Sequence, residues 1–315
     1  MANAFLKSTV IVNAAVGMLR RRIVTPGLFW RDGLSNFRGG PGDTITLRLP
    51  AYGVANTRAL RATTPIVMSE LHERGIDVSL TTNVYHAVNV TDEELTLDIT
   101  SFGQQILGPQ VDAVARGVED LAVAAMTGAT YQNTVSMDGD NPRAALLQAK
   151  MALDLANVPT TDRFVAMGSG VEAALLADPT LTRVDTSGSS EVLREATIGR
   201  LYGFTLVGVP ALPPDTAIAF HRTAFAMATA APVVPSGASA GGTTSSDGLA
   251  IRWIRDYDAP YLRDRSILNT YVGFGAVTDV GEYNANGRFV PSEDPADGDE
   301  MLVRAVEITL SEESA

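Results

Sequence analysis

Two alternating segments on either side of a long polar excursion constrain this chain more than any other feature. "TITLRL" at 44–49 puts Ile45, Leu47 and Leu49 on one face, the period-two pattern of a half-buried strand. "DVSLTTNVYHAVNV" at 77–90 alternates through Val78, Leu80, Thr82, Val84, His86, Val88 and Val90, which predicts one strand about twice the ordinary five or six residues. Between them, residues 52–75 carry Arg58, Arg61, Glu70, His72, Glu73 and Arg74. A two-stranded ribbon has no core of its own and is marginal alone in water. So long an excursion in a compact domain also implies a function for it. The economical expectation is a ribbon that packs on a neighbouring subunit.

The remaining composition supports a folded chain. At 315 residues, 45% hydrophobic and 19% charged, it can bury a substantial core in one large domain or in two or three small ones. It has no cysteine, which excludes disulfides, thiolate zinc sites and cysteine nucleophiles together. Residues 1–22 place apolar residues ahead of charges, the reverse of a secretory signal, and the uncharged run 8–19 is too short to cross a bilayer. The expectation is therefore a soluble, cytoplasmically made protein with no membrane partner.

The net charge of −12 is unevenly placed. Residues 1–40 hold Lys7, Arg20, Arg21, Arg22, Arg31 and Arg38 against Asp32, while 291–315 hold eight acids against Arg304. Such asymmetry fits a basic arm that meets something acidic, and equally a solvated arm. The acidic total argues against duplex DNA binding as the main task, since that affinity depends on Lys and Arg.

Periodicity predicts a mixed layout. A short helix is expected near 10–22, followed by a turn-rich stretch to 43. Ser101 and Gln104 have capping-box spacing, and Gly108-Pro109 can open a helix. Its apolar stripe would be Leu107, Val111, Val114, Val118, Leu121 and Ala125, opposite Arg116, Glu119 and Asp120, with Thr127-Gly128 at its end. A second helix spans 141–159, with Asn141 as cap and Pro142 at its first position. Residues 163–178 read as strand, Gly-Ser-Gly turn and helix. Beyond them come a helix from Leu193, a strand at 204–209, a proline-rich turn, a strand into Phe220 and another helix to Pro232. Residues 233–248 form a small-residue loop, and strands at 249–258, 266–277 and 302–310 complete an α+β chain without regular βαβ alternation.

Several residues resemble known chemistry. Gly168, Gly170 and Ala173 fit the dinucleotide fingerprint, but Asp178-Pro179 breaks the helix and Asp185 does not end a second buried strand. Gly237 to Gly241 matches the G-x-S-x-G nucleophile elbow around Ser239, yet His72, His86 and His221 all precede that serine, and no strand leads into it. Three dispersed histidines offer no zinc spacing. The carboxylates of "MDGDNP" at 137–142 and "SEDPADGDE" at 292–300 lack calcium-loop order and read as solvated turns more readily than as ion sites. His86 falls on an apolar strand face, and His221 more readily caps or packs than catalyses. No nucleophile, base and orienting group assemble, so no catalytic, cofactor-binding or metal residue is assigned.

"GFTLVGVPALPPDTAIAFHRTAFAMATAAP" at 203–232 and "GLAIRWIRDYD" followed by "LNTYVGFGAV" resemble, in order, segments of the major capsid (coat) proteins of tailed bacteriophages, especially the short-tailed branch. The resemblance implies the α+β Hong Kong 97-type capsid fold: an N-arm at 1–42, an extended E-loop at 43–98, a peripheral domain with a long spine helix at 99–160, an axial domain at 161–232, and a return to the peripheral domain with a C-terminal strand at 233–315. It implies a structural, non-enzymatic virion protein that forms homo-oligomeric hexamers and pentamers of an icosahedral head around double-stranded DNA. In that setting 163–178 is the start of the axial domain, and its glycines serve a turn.

Some members of this family weld their shells through a lysine of the E-loop. Lys7 and Lys150 are the only lysines here, so 43–98 has none and the linkage is chemically unavailable. Other members carry a long scaffolding segment ahead of the arm. Here the first ribbon strand begins at Thr44, so a separate scaffolding protein is expected near Arg20, Arg21 and Arg22, together with a portal protein, a possible decoration protein and weakly contacted packaged DNA. Alternatives are an encapsulin-like nanocompartment and a nucleotide-binding enzyme using the Gly168-Gly170 turn.

Overall fold

The computed structural model describes residues 12–13, 15–16, 19, 23–31, 44–49, 51–53, 55–95, 102–178, 181, 199–246, 249–294, 296 and 298–311. In chain order the elements are β1 (Thr44–Leu49), β2 (Arg74–Ser79), β3 (Thr82–Thr91), α1 (Gly108–Thr127), β4 (Tyr131–Met137), α2 (Pro142–Leu155), β5 (Arg163–Met167), α3 (Ser169–Ala177), β6 (Arg200–Leu201) and β7 (Phe204–Gly208). They continue with β8 (Thr216–His221), β9 (Phe225–Ala230), β10 (Ala240–Ser246), β11 (Leu249–Asp258), β12 (Arg263–Ala276), β13 (Asp279–Tyr283), β14 (Phe289–Pro291) and β15 (Asp299–Leu310). Two compact units form, one from 1–45, 78–128 and 225–275, the other from 46–77, 129–224 and 276–315.

The first unit is a helix laid on a sheet. Antiparallel pairing gives the order β10-β11-β12-β3, with β9 also on β12. Helix α1 buries Val111, Val114, Ala115, Val118, Ala122, Val123 and Met126. A Cβ on Gly117 would come 2.9 Å from a Val84 methyl, so the missing side chain lets the helix approach β3 closely. A buried polar chain ties the layers together. Trp253 Nε1 donates to Ser266 Oγ (2.9 Å), Ser266 Oγ donates to Gln110 Oε1 (2.9 Å), and Gln110 Nε2 donates to the Ser266 carbonyl (2.8 Å). Each polar group thereby keeps a partner where no water reaches. On the other side, the Val24 and Thr25 N–H groups donate to the Glu119 carboxylate. It caps the helical turn Thr25–Leu28 electrostatically as well as by hydrogen bonding. Phe29 stacks on Phe225 and meets Phe274 edge-on.

The second unit is built on a mixed eight-stranded sheet, order β14-β13-β15-β8-β5-β7-β6, with β4 parallel to β15. Helices α2 and α3 bury Leu146, Leu153, Val171 and Leu175 in a core with Val165, Met167, Phe204, Ala217, Ala219, Val306 and Ile308. β8 is buried at all six positions because it is central and covered on both faces. The Arg163 guanidinium, also buried, donates to the Val158 and Pro159 carbonyls and pairs with Asp154 at 2.7 Å.

Several expected elements change. The long strand expected over 77–90 breaks at Leu80-Thr81 into β2, which pairs with β1, and β3, which pairs with β12. A clean alternation does not reveal a change of partner. Gly273 accommodates the break, since a Cβ there would fall 2.0 Å from the Ser79 carbonyl oxygen. The helix expected between Phe220 and Pro232 is a 3-10 turn (Arg222–Ala224) and the strand β9. Its residues favour helix locally, but Ala226 and Ala228 are fully buried in a sheet, so tertiary pairing overrides propensity.

The loop expected at 233–248 holds β10, paired with β11 along all seven of its residues. Strands β4, β13 and β14 are additions to the expected layout. The stripe of α1 is displaced too, with Gln110, Ala122 and Met126 buried and Leu121 and Ala125 only partly so. The helical path begins earlier than Gly108, in a π turn at Gly103–Leu107. Lys7, Arg20, Arg21, Arg22, Arg38, Ser101, Asp185 and the helix expected from Leu193 to residue 198 lie outside the described residues. Residues 129–155 pack in the second unit and 225–230 in the first, because β4 joins β15 and β9 joins β12. The two units of packing thus cut across the spans 99–160, 161–232 and 233–315.

Candidate functional site

The ribbon is held at its base and free beyond it. Leu47, Leu49 and Val78 are buried, and Thr46 Oγ1 donates to Asp77 Oδ1 across the two strands at 2.6 Å. Gly75 faces Thr46 so closely that a Cβ would lie 2.5 Å from its methyl. Arg74 anchors the return strand: it donates to the Thr278 carbonyl at 2.8 Å and pairs with Glu300 at 2.6 Å. Thus one of the charges read from the sequence as part of a polar excursion fixes the point where the excursion leaves the fold.

Beyond that base, described residues 51–73 form no strand or helix. The two limbs meet through Asn56 Nδ2 and Ser69 Oγ at 3.5 Å. The tip is a turn in which the Ala62 N–H donates to the Ala59 carbonyl, Arg58 reaches the Ala62 carbonyl, and Arg61 adopts a left-handed φ of 65°. A non-glycine residue takes that conformation only in a constrained turn. Leu60 is 98% exposed at this tip, Met68 82%, Leu71 71%, Val67 70% and Ile66 67%. Sequence reasoning treats the stretch as polar and misses these five. For Ile66, Val67 and Met68 the signal lies in the uncharged run "PIVM" at 65–68, but it has neither period and so escapes a search for helices and strands, while Leu60 and Leu71 stand alone. Apolar side chains concentrated on an excursion mark an interaction surface.

The positions that resembled enzyme chemistry are occupied by structure. Gly168 and Gly170 lie at the start of α3, but the Gly170 and Val171 N–H groups both donate to the Pro214 carbonyl, at 2.9 and 3.0 Å. A Cβ at Gly168 would fall 2.0 Å from the Pro213 carbonyl oxygen, so these glycines admit a proline turn where a nucleotide fold would place pyrophosphate. Ser239 is exposed, and its strand follows rather than precedes it, the reverse of a nucleophile elbow.

The histidines occupy dissimilar settings. His72 lies on the excursion beside Glu70, and His86 sits on the inner face of β3 with its carbonyl accepting from Gln110. His221 is buried at the end of β8. Its pKa is pushed down by burial and then by the Arg304 charge. Asp138 accepts from the Asp140 N–H and shapes the turn into α2, while Asp294 does the same for Ala296. Among the described residues no three His, Cys, Asp or Glu side chains converge on a point that could hold a metal ion, and no helix is long and apolar enough to cross a membrane.

Solved structures of capsids share this architecture. Over 91% of this chain and 90% of the other, the protein of Mycobacterium phage Che8 superposes with a TM-score of 0.60 at 18% identity. The asymmetric unit of the bacteriophage PhiM1 mature capsid gives 0.55 over 85% and 82%, at 11% identity. A virus-like particle from Pyrococcus furiosus gives 0.52 over 95% and 98%, also at 11% identity. No curated protein sequence matches the chain. A profile of the family described as phage capsid protein matches residues 76–286, which include α1, the whole sheet of the first unit and strands β4 to β8 and β13 of the second. By fold and by sequence, then, this chain belongs to the phage capsid protein family and is a structural component of the virion shell with a Hong Kong 97-type fold.

Proposed function

We propose that the chain forms hexamers and pentamers of an icosahedral phage head around double-stranded DNA, and that its excursion at 51–73 drapes over the next copy. The observation that carries this reading is the exposure of Leu60, Ile66, Val67, Met68 and Leu71 on a segment with no strand or helix of its own. Covering a large apolar side chain stabilises by about 1.5–3 kcal/mol, so a few such contacts per subunit, repeated around a closed ring, are sufficient. In this reading 1–42 is the N-arm and 43–98 the E-loop, while 99–160 carries the spine helix α1. Residues 161–232 surround the local symmetry axis, and 233–315 return to the periphery. The shell is non-covalent, since the E-loop offers no lysine. An acidic chain also attracts packaged DNA only weakly.

The partners follow from the same chemistry. A separate scaffolding protein with an acidic segment meets Arg20, Arg21 and Arg22, a portal occupies one vertex, and a decoration protein is compatible with the outer surface. The protein has no catalytic, cofactor or metal role. Electron microscopy of the protein made alone and with its candidate scaffold tests the reading. Closed shells or ring-shaped capsomers support it, whereas small discrete oligomers under every condition refute it. Particle diameter and packaged contents separate a phage head from a nanocompartment. Charge reversal at the three arginines should weaken scaffold capture, and unchanged capture removes that part of the proposal.

A further inference from the structure

His221 closes β8 where the chain turns, through Arg222–Ala224, to leave the second unit. The residue is 7% exposed. The Thr223 N–H donates to its Nδ1 at 3.2 Å, and because an amide N–H only donates, Nδ1 must carry a lone pair and Nε2 the proton. Thr223 Oγ1 lies 2.8 Å from the same Nδ1 and accepts from Arg304 Nη1 at 2.9 Å, which leaves its own hydrogen to point at the ring. Arg304 is in turn committed to Asp279 through two contacts of 2.6 Å. Among the described residues, both groups bonded to Nδ1 therefore present a hydrogen to it.

The charges facing the ring come from several elements. Arg304 of β15 and Arg163 of β5 oppose a positive imidazole, and Asp162 favours one. Arg222 follows in the turn, its own N–H donating to the Asp162 carbonyl at 3.0 Å. Arg163 is already paired with Asp154, and Asp279 with Arg304, so among the described residues Asp162 is the acid facing the ring that could compensate a proton.

We propose that His221 is an acid-released pin: the neutral ring fixes the turn Arg222–Ala224, and protonation at Nδ1 frees the Thr223 amide and opens that turn. Nδ1 is the only ring nitrogen with a lone pair to protonate, so the proton enters where the turn is held. Burial and Arg304 lower the affinity of the folded protein for that proton, which makes the unfolded chain the better binder. The contribution is thus complete above the ordinary imidazole value of about 6.5 and is lost as pH falls through the window below it. This inference goes beyond shell formation and does not depend on it.

Hydrogen exchange of the full chain, read by mass spectrometry on peptides covering 221–225 between pH 7.5 and 4.5 and corrected for the intrinsic rate, tests the pin. Below about pH 6.5, protection should fall by up to about tenfold per pH unit in the wild type. It should stay level in His221→Asn, whose side-chain oxygen still accepts from the Thr223 N–H but gains no proton. An identical pH dependence in both proteins overturns the proposal. Should the variant fail to fold, the wild-type ring decides the question by NMR. The Nε2–H tautomer with a midpoint below that of an unstructured histidine supports the pin, and either an Nδ1–H tautomer or an ordinary midpoint overturns it.

Discussion

Replacing Gln110 with leucine should loosen α1 from the sheet of the first unit by an amount that the hydrogen-bond chain fixes. Gln110 is fully buried, and its amide accepts from Ser266 Oγ while donating to the Ser266 carbonyl at 2.8 Å and, less closely, to the His86 carbonyl at 3.3 Å. Both carbonyls belong to paired strands and have a second lone pair, so losing the Gln110 donor costs them little. The Ser266 hydroxyl fares worse. It still accepts from Trp253 Nε1, but its hydrogen then faces hydrocarbon, and a buried polar group left without its partner costs about 1–3 kcal/mol. Leucine is close in volume to glutamine and recovers part of that through apolar burial, so the net expectation is about 1–2 kcal/mol.

Urea unfolding followed by tryptophan fluorescence isolates this effect, because Trp30 and Trp253 are the only tryptophans and both lie in the first unit. Q110L should lower the midpoint without changing the slope. The double variant Q110L/S266A should be less destabilised than the sum of the two single variants by about 1 kcal/mol, since the stranded hydroxyl has been removed. Strict additivity, or a Q110L variant as stable as wild type, would falsify the assignment of Gln110 as the polar clamp.

Three further outcomes are expected. The double substitution Leu60→Ser with Met68→Ser should leave subunit unfolding within about 0.5 kcal/mol of wild type, because both side chains are solvated in the free chain, while sedimentation shows fewer assembled particles. Normal assembly by that variant contradicts the role given to the excursion. Gly168→Ala forces a methyl against the Pro213 carbonyl and should destabilise the second unit by about 3 kcal/mol, measured by calorimetry; a neutral effect would mean that the proline turn yields easily. Burial alone would raise the Asp154 pKa, but hydrogen bonds and charges from Lys150 and Arg163 outweigh it and hold the carboxyl below its usual range. Its contribution is therefore present above about pH 3.9 and lost as pH falls through the depressed value. Asp154→Asn should accordingly be less stable than wild type at neutral pH, with the gap closing in acid. A constant difference across the titration rules out the ion pair as its source.

The ribbon and the long helix are legible in the sequence because their signals are local. Ile45, Leu47 and Leu49 must share one side of an extended chain, and Val111, Val114 and Val118 must share one side of a helix, whatever else the protein does. Gly108-Pro109 and Asn141-Pro142 announce helix starts for equally local reasons, and both helices open with proline in the first turn. The capsid likeness is readable in the order of such segments, since no invariant catalytic residue is needed to mark it. The turn at Gly168 is explained only by the folded chain, because Pro213 and Pro214 lie more than forty residues further along.

What the sequence by itself determined was therefore the α+β character, the absence of cysteine and of any lysine in residues 43–98, the excursion, and the amphipathic helix. Partner choice was decided only in three dimensions. "FAMATA" is a strand because β12 offers it an edge, "AGGTTSS" is a strand because β11 does, and the alternation of 77–90 divides because its two halves find different partners. Exposure was decided there too: Leu60 and Leu146 are the same residue type, yet one is solvated at a tip and the other lies in a core. Side-chain periodicity is fixed by covalent geometry, whereas burial and pairing are cooperative properties of segments far apart in sequence.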